Sequence, residues 1–181
     1  MMVVIVPKIK SPKIKSDDKE LEIWLDLEGT VIDSWDNGRI LHGHVSNIQT
    51  FLAAYELKHL RIWSFAIWTA KQKSDFVQSG MKESLEQLFG GLRIVDYPSV
   101  DEMIELCKPY DFHFRYECPL EFMQVNGKYW SFLKYAMSQT SKKCVLIDDC
   151  VPFSMIQYPN KNVEVITLNI EKDFLQQTKQ V

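Results

Sequence analysis

Residues 22–30 read Glu22-Ile23-Trp24-Leu25-Asp26-Leu27-Glu28-Gly29-Thr30, and this stretch decides the fold. Residues 22–27 have the length and apolar character of a buried strand. The strand then runs into two carboxylates, Asp26 and Glu28, which are costly to bury unless they meet a cation or hydrogen-bond donors. While the chain stays extended, alternation puts both acids on one side, and Gly29 lets it turn away sharply. A buried strand that ends in this way predicts a site at its carboxyl end.

Working outward, the rest of the chain alternates strands and helices. Residues 31–44 contain Asp36-Asn37-Gly38, a tight-hairpin signal. Residues 45–57 place Val45, Ile48, Phe51, Leu52 and Tyr55 at helical spacing. A second strand is expected over 61–68 and a helix over 71–89, stopped by Gly90-Gly91. A third strand follows over 92–97 and a short helix over 100–107. The aromatic-rich 111–125 reads as extended or irregular. A helix over 127–137, strands over 144–147 and 163–167 and a closing helix over 170–177 complete the order. Alternating βα units predict an α/β fold, a Rossmann-like three-layer αβα sandwich. Its sheet is expected to be mainly parallel and five-stranded, with a β-hairpin flap after the first strand. In such sheets ligands sit beyond the carboxyl ends of the strands.

Two further strand ends carry compatible chemistry. The second ends in Trp68-Thr69-Ala70 before a helix, where a hydroxyl and free backbone N–H groups suit a phosphate oxygen; Thr69 as a plain helix cap is the other reading. The fourth ends in Asp148-Asp149. Adjacent carboxylates repel each other, and a divalent cation with a preference for oxygen ligands removes that cost.

The 181 residues suit one domain, expected over 21–181, with 46% hydrophobic and 25% charged residues. A net charge of −3 gives no global pull toward nucleic acid or anionic membrane. No apolar run reaches the ~20 residues of a membrane helix, and the start of the chain lacks the features of a signal peptide. A cytoplasmic or nucleocytoplasmic protein, not a secreted one, is expected. Cys107, Cys118, Cys144 and Cys150 form no C-x-x-C pair and read as reduced thiols. Residues 1–20 form a basic arm with PKIKS in tandem at 7–11 and 12–16. It is either a solvated arm or a docking arm for an acidic partner or for nucleic-acid phosphates. His42 and His44 are expected on one side of a hairpin strand, and Trp35, Trp68 and Trp130 in core or rim packing.

The order D-x-E-G-T, hydrophobics-Thr-Ala, a lysine, then hydrophobics-Asp-Asp resembles the haloacid dehalogenase superfamily over most of residues 22–168. Arg115-Tyr116-Glu117-Cys118 and Gly127-Lys128-Tyr129 are similar to stretches in its compact members that dephosphorylate the RNA polymerase carboxy-terminal domain. Those members have D-x-D and Asp-Asn where this chain has D-x-E and Asp-Asp.

The resemblance implies a Mg²⁺-dependent phosphomonoester hydrolase. Asp26 would be the nucleophile that forms an aspartyl-phosphate, with its other oxygen on Mg²⁺. Glu28 would give its backbone carbonyl to Mg²⁺ and its carboxyl as general acid and base. Thr69 and the Ala70 N–H would hold phosphoryl oxygens. Lys128, rather than Lys134, would neutralise developing charge, and Asp148 and Asp149 would complete the metal site. Neither 31–68 nor 71–127 has room for a full cap domain. An open site suits a phosphorylated protein or nucleic-acid end; a small phosphorylated molecule requires closure by a partner subunit or by residues 112–122. A catalytically altered binding module, a metabolite or nucleotide phosphatase, and phosphoryl transfer between metabolites are the alternatives.

Overall fold

A computed structural model describes residues 20–110, 116, 118–139, 142–152, 154–158 and 163–174. The tandem PKIKS arm, Arg115 and Glu117 of the Arg-Tyr-Glu-Cys stretch and the chain after residue 174 lie outside the described residues. Among the described residues, six strands form one sheet in the order β3-β2-β1-β4-β6-β5. The strands are β1 (Glu20–Leu25), β2 (His59–Ile62), β3 (Arg93–Asp96), β4 (Lys142–Asp148), β5 (Ser154–Tyr158) and β6 (Val163–Asn169). The five strands expected from the sequence are parallel, and β5 adds an antiparallel edge against β6.

Alternation along the strands splits the core in two. Ile23, Leu25, Val145, Ile147, Ile166 and Leu168 face one layer, built from α1 (His42–Leu52), α2 (Ala70–Gln78), α3 (Met81–Leu88) and α6 (Ile170–Phe174). Trp24, Cys144, Leu146 and Val165 face the other, built from α4 (Val100–Cys107) and α5 (Pro119–Ser138). In that second layer Trp24, Trp63, Phe132 and Tyr135 pack with ring centroids 5.0–6.2 Å apart, largely edge to face. This is the three-layer αβα sandwich.

Several expected boundaries move. The helix expected over 71–89 is two helices, broken at Ser79-Gly80. The expected irregular 111–125 is helical from Pro119, where proline is at home in a first turn. The excursion after β1 is a tight loop. One antiparallel bridge joins Ile32 to Ile40, and Leu41 N–H donates to Val31 O at 2.9 Å. His42 and His44 are in the first turn of α1, not on a hairpin strand. β2 ends at Ile62, well short of the expected 68.

Candidate active site

The site is built at the carboxyl ends of β1 and β4. Asp26 follows β1, and its N–H donates to Ile147 O at 3.0 Å, so the ladder carries the aspartate to the carboxyl end of the sheet. The residue is fully buried. Its Oδ2 accepts Lys128 Nζ at 2.5 Å and Thr30 Oγ1 at 3.3 Å, and the Ser64 hydroxyl lies beside the carboxylate.

Lys128 reaches this point because of a bend. Gly127, at φ 59° and ψ 179°, interrupts α5 in a conformation essentially reserved for glycine. Lys128 therefore opens the second segment of that helix instead of continuing the first. Its Nζ also lies 3.4 Å from Asp148 Oδ2 and 3.7 Å from Asp149 Oδ1.

The Asp148-Asp149 turn is pinned from two sides. Asp148 Oδ1 accepts the Cys150 N–H at 2.6 Å. Asn169, at the end of β6, donates through Nδ2 to Asp149 O at 2.7 Å and Val151 O at 2.8 Å. The Asn169 Oδ1 meanwhile caps α6 at the Lys172 N–H, 2.9 Å away. The Asp149 carboxylate packs against Gly29, which sits at φ 75°; a Cβ there would lie 2.4 Å from Asp149 Oδ2. Gly29→Ala is therefore expected to destabilise the fold by about 2 kcal/mol, from left-handed strain plus the clash. Urea unfolding checks this.

The electrostatics follow from one lysine facing two buried acids, Asp26 and Asp148, and the partly exposed Asp149. Burial raises the pKa of Asp26, and Lys128 only partly offsets it. Burial, and then the charge of Asp26, push Asp148 up to about 7. Burial alone would lower the pKa of Lys128, but Asp26, Asp148 and Asp149 raise it above the ordinary lysine value. Asp26 Oδ1, Asp148 Oδ2 and Asp149 Oδ1 are buried without a hydrogen-bond partner. Carboxylate oxygens left without hydrogen-bond donors, with Lys128 as the cation beside two of them, are the donor type a divalent cation with hard oxygen ligands takes.

The structure thus brings together Asp26, Lys128, Asp148 and Asp149. Lys134 lies elsewhere, with its Nζ donating to Asn126 Oδ1 at 2.6 Å. Glu28 is committed differently: its Oε1 accepts the Trp35 N–H at 2.6 Å and ties down the loop after β1. Its neighbour Gly29 is anchored to α1, with His44 Nδ1 3.1 Å from Gly29 O.

Thr69 and Ala70 are not at the strand end expected for them. Thr69 is the N-cap of α2, its N–H donating to Gln72 Oε1 at 3.2 Å and its hydroxyl to the same oxygen. The residue beside Asp26 from that part of the chain is Ser64, just past the end of β2. A lone serine inside the apolar Arg61-Ile62-Trp63-Ser64-Phe65-Ala66-Ile67-Trp68 run was its signal. Thr30 and Asn169 were also missed.

Compared with known protein families, curated proteins and solved structures, the chain matches none.

Proposed function

We propose that this protein is a Mg²⁺-dependent phosphomonoesterase of the haloacid dehalogenase type, acting through an aspartyl-phosphate on Asp26. The observation that carries the reading is the pairing of buried Asp26 with Lys128 beside Asp148 and Asp149, each of the three acids keeping one carboxylate oxygen without a hydrogen-bond partner. Asp26, Asp148 and Asp149 would hold the cation. When bound, Mg²⁺ would screen the phosphate's charge from the nucleophile and stabilise the transferring oxygens.

The chain's own groups would do the rest. Asp26 attacks phosphorus as the bond from phosphorus to the ester oxygen breaks, and the departing alcohol oxygen takes its proton from water; Lys128 neutralises charge on the phosphoryl oxygens, and Ser64 donates to one of them. A water then attacks phosphorus, the bond from phosphorus to Asp26 breaks, and inorganic phosphate leaves with Asp26 restored as a carboxylate. With no full cap, the phosphate is that of a macromolecule or is presented by a partner.

Ser64→Ala is expected to lower kcat about 10²-fold, as loss of one positioned donor does. Thr69→Ala should leave kcat unchanged and cost about 1 kcal/mol as a lost cap. Steady-state kinetics and thermal unfolding separate the two.

Asp148 must ionise to take a cation. Below about pH 7 its proton has to be displaced, so Mg²⁺ affinity should fall about tenfold per pH unit there and level off above. The linked stability has the matching sign. A carboxyl whose folded pKa is raised costs the metal-free fold stability as pH rises from about 4 to about 7, and saturating Mg²⁺ should reverse that slope. Calorimetry and unfolding at pH 5.5, 7 and 8 check this, and chelation should abolish turnover.

The screen that tests the function covers nucleotides, sugar phosphates, phosphopeptides and 3′- or 5′-phosphorylated oligonucleotides with Mg²⁺. Release of phosphate from none of them would sink it. The Glu28–Trp35 bond favours a second reading, a non-catalytic binding module, because the carboxyl expected to act as acid and base is engaged. That reading predicts binding of Mg²⁺ and a phosphate mimic without turnover, and a gain of activity in Glu28→Asp.

A further inference from the structure

The thiol beside the acidic turn has no part in the proposed hydrolysis, and it changes which cations the turn can hold. Among the described residues, Asp148, Asp149 and Cys150 form a group of potential ligand atoms all within 4.8 Å of one another. Two observations make this more than a cluster of acids. Asp148 is fully buried and its Oδ2 has no hydrogen-bond partner. The Cys150 residue is exposed, and its sulfur lies within 4.8 Å of a carboxylate oxygen of each aspartate. The backbone between them is held by the Cys150 N–H on Asp148 Oδ1 and by Asn169 on Asp149 O and Val151 O.

A hard cation such as Mg²⁺ has no use for sulfur, whereas a borderline cation of the zinc class binds thiolate and carboxylate together. Zinc takes sulfur at ~2.3 Å and carboxylate oxygen at ~2.0–2.2 Å, so small side-chain rotations would close the group around one ion.

We propose that the Asp148-Asp149-Cys150 turn is a site for a zinc-class divalent cation, bound through two carboxylates and the Cys150 thiolate. Binding releases the thiol proton to solvent. Because it takes the carboxylates assigned above to Mg²⁺, occupancy by zinc excludes the hydrolytic metal and stops turnover. This last consequence rests on the proposed function; the binding itself does not.

The test is a cobalt(II) titration of the full chain under anaerobic conditions, followed by absorbance. The expected result is a sulfur-to-cobalt charge-transfer band in the near ultraviolet that saturates at one equivalent and is erased by zinc. Cys150→Ser should lose the band and bind zinc at least ~10-fold more weakly, since even loss of an outer-shell group costs that much. Its Mg²⁺ affinity should not change. Cys118→Ser, which removes the other exposed thiol, should keep the band and controls for folding. A wild-type protein without the band, or a Cys150→Ser protein that retains it, overturns the proposal. The band is read whether or not phosphate is turned over. Its presence in a protein with no phosphatase activity refutes the hydrolase reading alone, and its absence from an active enzyme refutes this inference alone.

Discussion

Asp26→Asn is expected to reduce phosphate release by about 10⁴-fold or more, the scale seen when a covalent nucleophile is removed, while leaving the fold intact. The second half of that expectation follows from the charge balance of the site. Lys128 faces Asp26, Asp148 and Asp149 together, so neutralising Asp26 still leaves two carboxylates for the lysine. It also removes the negative charge that helps to push Asp148 up, and Asp148 should then ionise at lower pH. The variant should therefore unfold at a urea concentration close to that of the parent and, with one anionic ligand fewer, bind Mg²⁺ more weakly at pH 7 but keep that binding to lower pH. Loss of activity with loss of folding would be uninformative in most enzymes; here the two are expected to separate.

Glu22→Ala is expected to do the opposite: to destabilise the protein by about 3–5 kcal/mol, as breaking a buried ion pair does, without touching the chemistry. Glu22 is buried and accepts from Lys142 Nζ at 2.5 Å and Tyr135 Oη at 2.9 Å, and pairs with Arg61 Nη2 at 3.2 Å. Arg61, itself buried, is shared with the half-exposed Asp96 at 2.8 Å. Removing Glu22 leaves Arg61 leaning on that one partner and strands the Tyr135 hydroxyl. Glu22 lies four residues before Asp26, roughly 13 Å along an extended strand, so residual folded protein should keep its kcat.

The pH dependence has a defined sign. Burial raises the Glu22 pKa, but Lys142, Arg61 and Tyr135 outweigh it and hold the carboxyl below its ordinary 4.5. Its contribution to stability is thus complete above about pH 4.5 and lost as pH falls through the lowered value. Urea unfolding of the parent and Glu22→Ala at pH 7 and pH 3.5 should show the gap narrowing at the lower pH. Glu22→Leu combined with Arg61→Leu should recover much of the loss.

The sheet was legible because β1, β4 and β6 are apolar runs of strand length flanked by turns or polar residues, a pattern that tertiary context rarely overturns. The acidic end of the site was legible for the same reason: Asp26 and Asp148-Asp149 terminate buried strands, where an acid has few reasons to be. Lys128 was legible from its place at a glycine-opened helix.

What escaped the sequence is set by local hydrogen bonding and backbone conformation. Nothing in Arg61–Trp68 as a string says that the ladder stops at Ile62, so the hydroxyl was sought at Thr69 and the chain placed Ser64 beside Asp26. Nothing in Glu28 says that its carboxylate will meet the Trp35 N–H, because that contact depends on how the loop after β1 folds back. β5 pairs antiparallel at the sheet's edge, and its sequence, Ser154-Met155-Ile156-Gln157-Tyr158, does not alternate apolar with polar residues as a half-buried strand does.

The nucleophilic role of Asp26 can be tested by chemical trapping. Protein quenched during turnover of an aryl phosphate with Mg²⁺ would be reduced with borohydride, which converts an aspartyl-phosphate to homoserine, and position 26 read by peptide mass spectrometry. Homoserine at position 26, dependent on substrate and absent from Asp26→Asn, is the predicted result. Unmodified Asp26 in samples that release phosphate, or no release at all, would contradict the account.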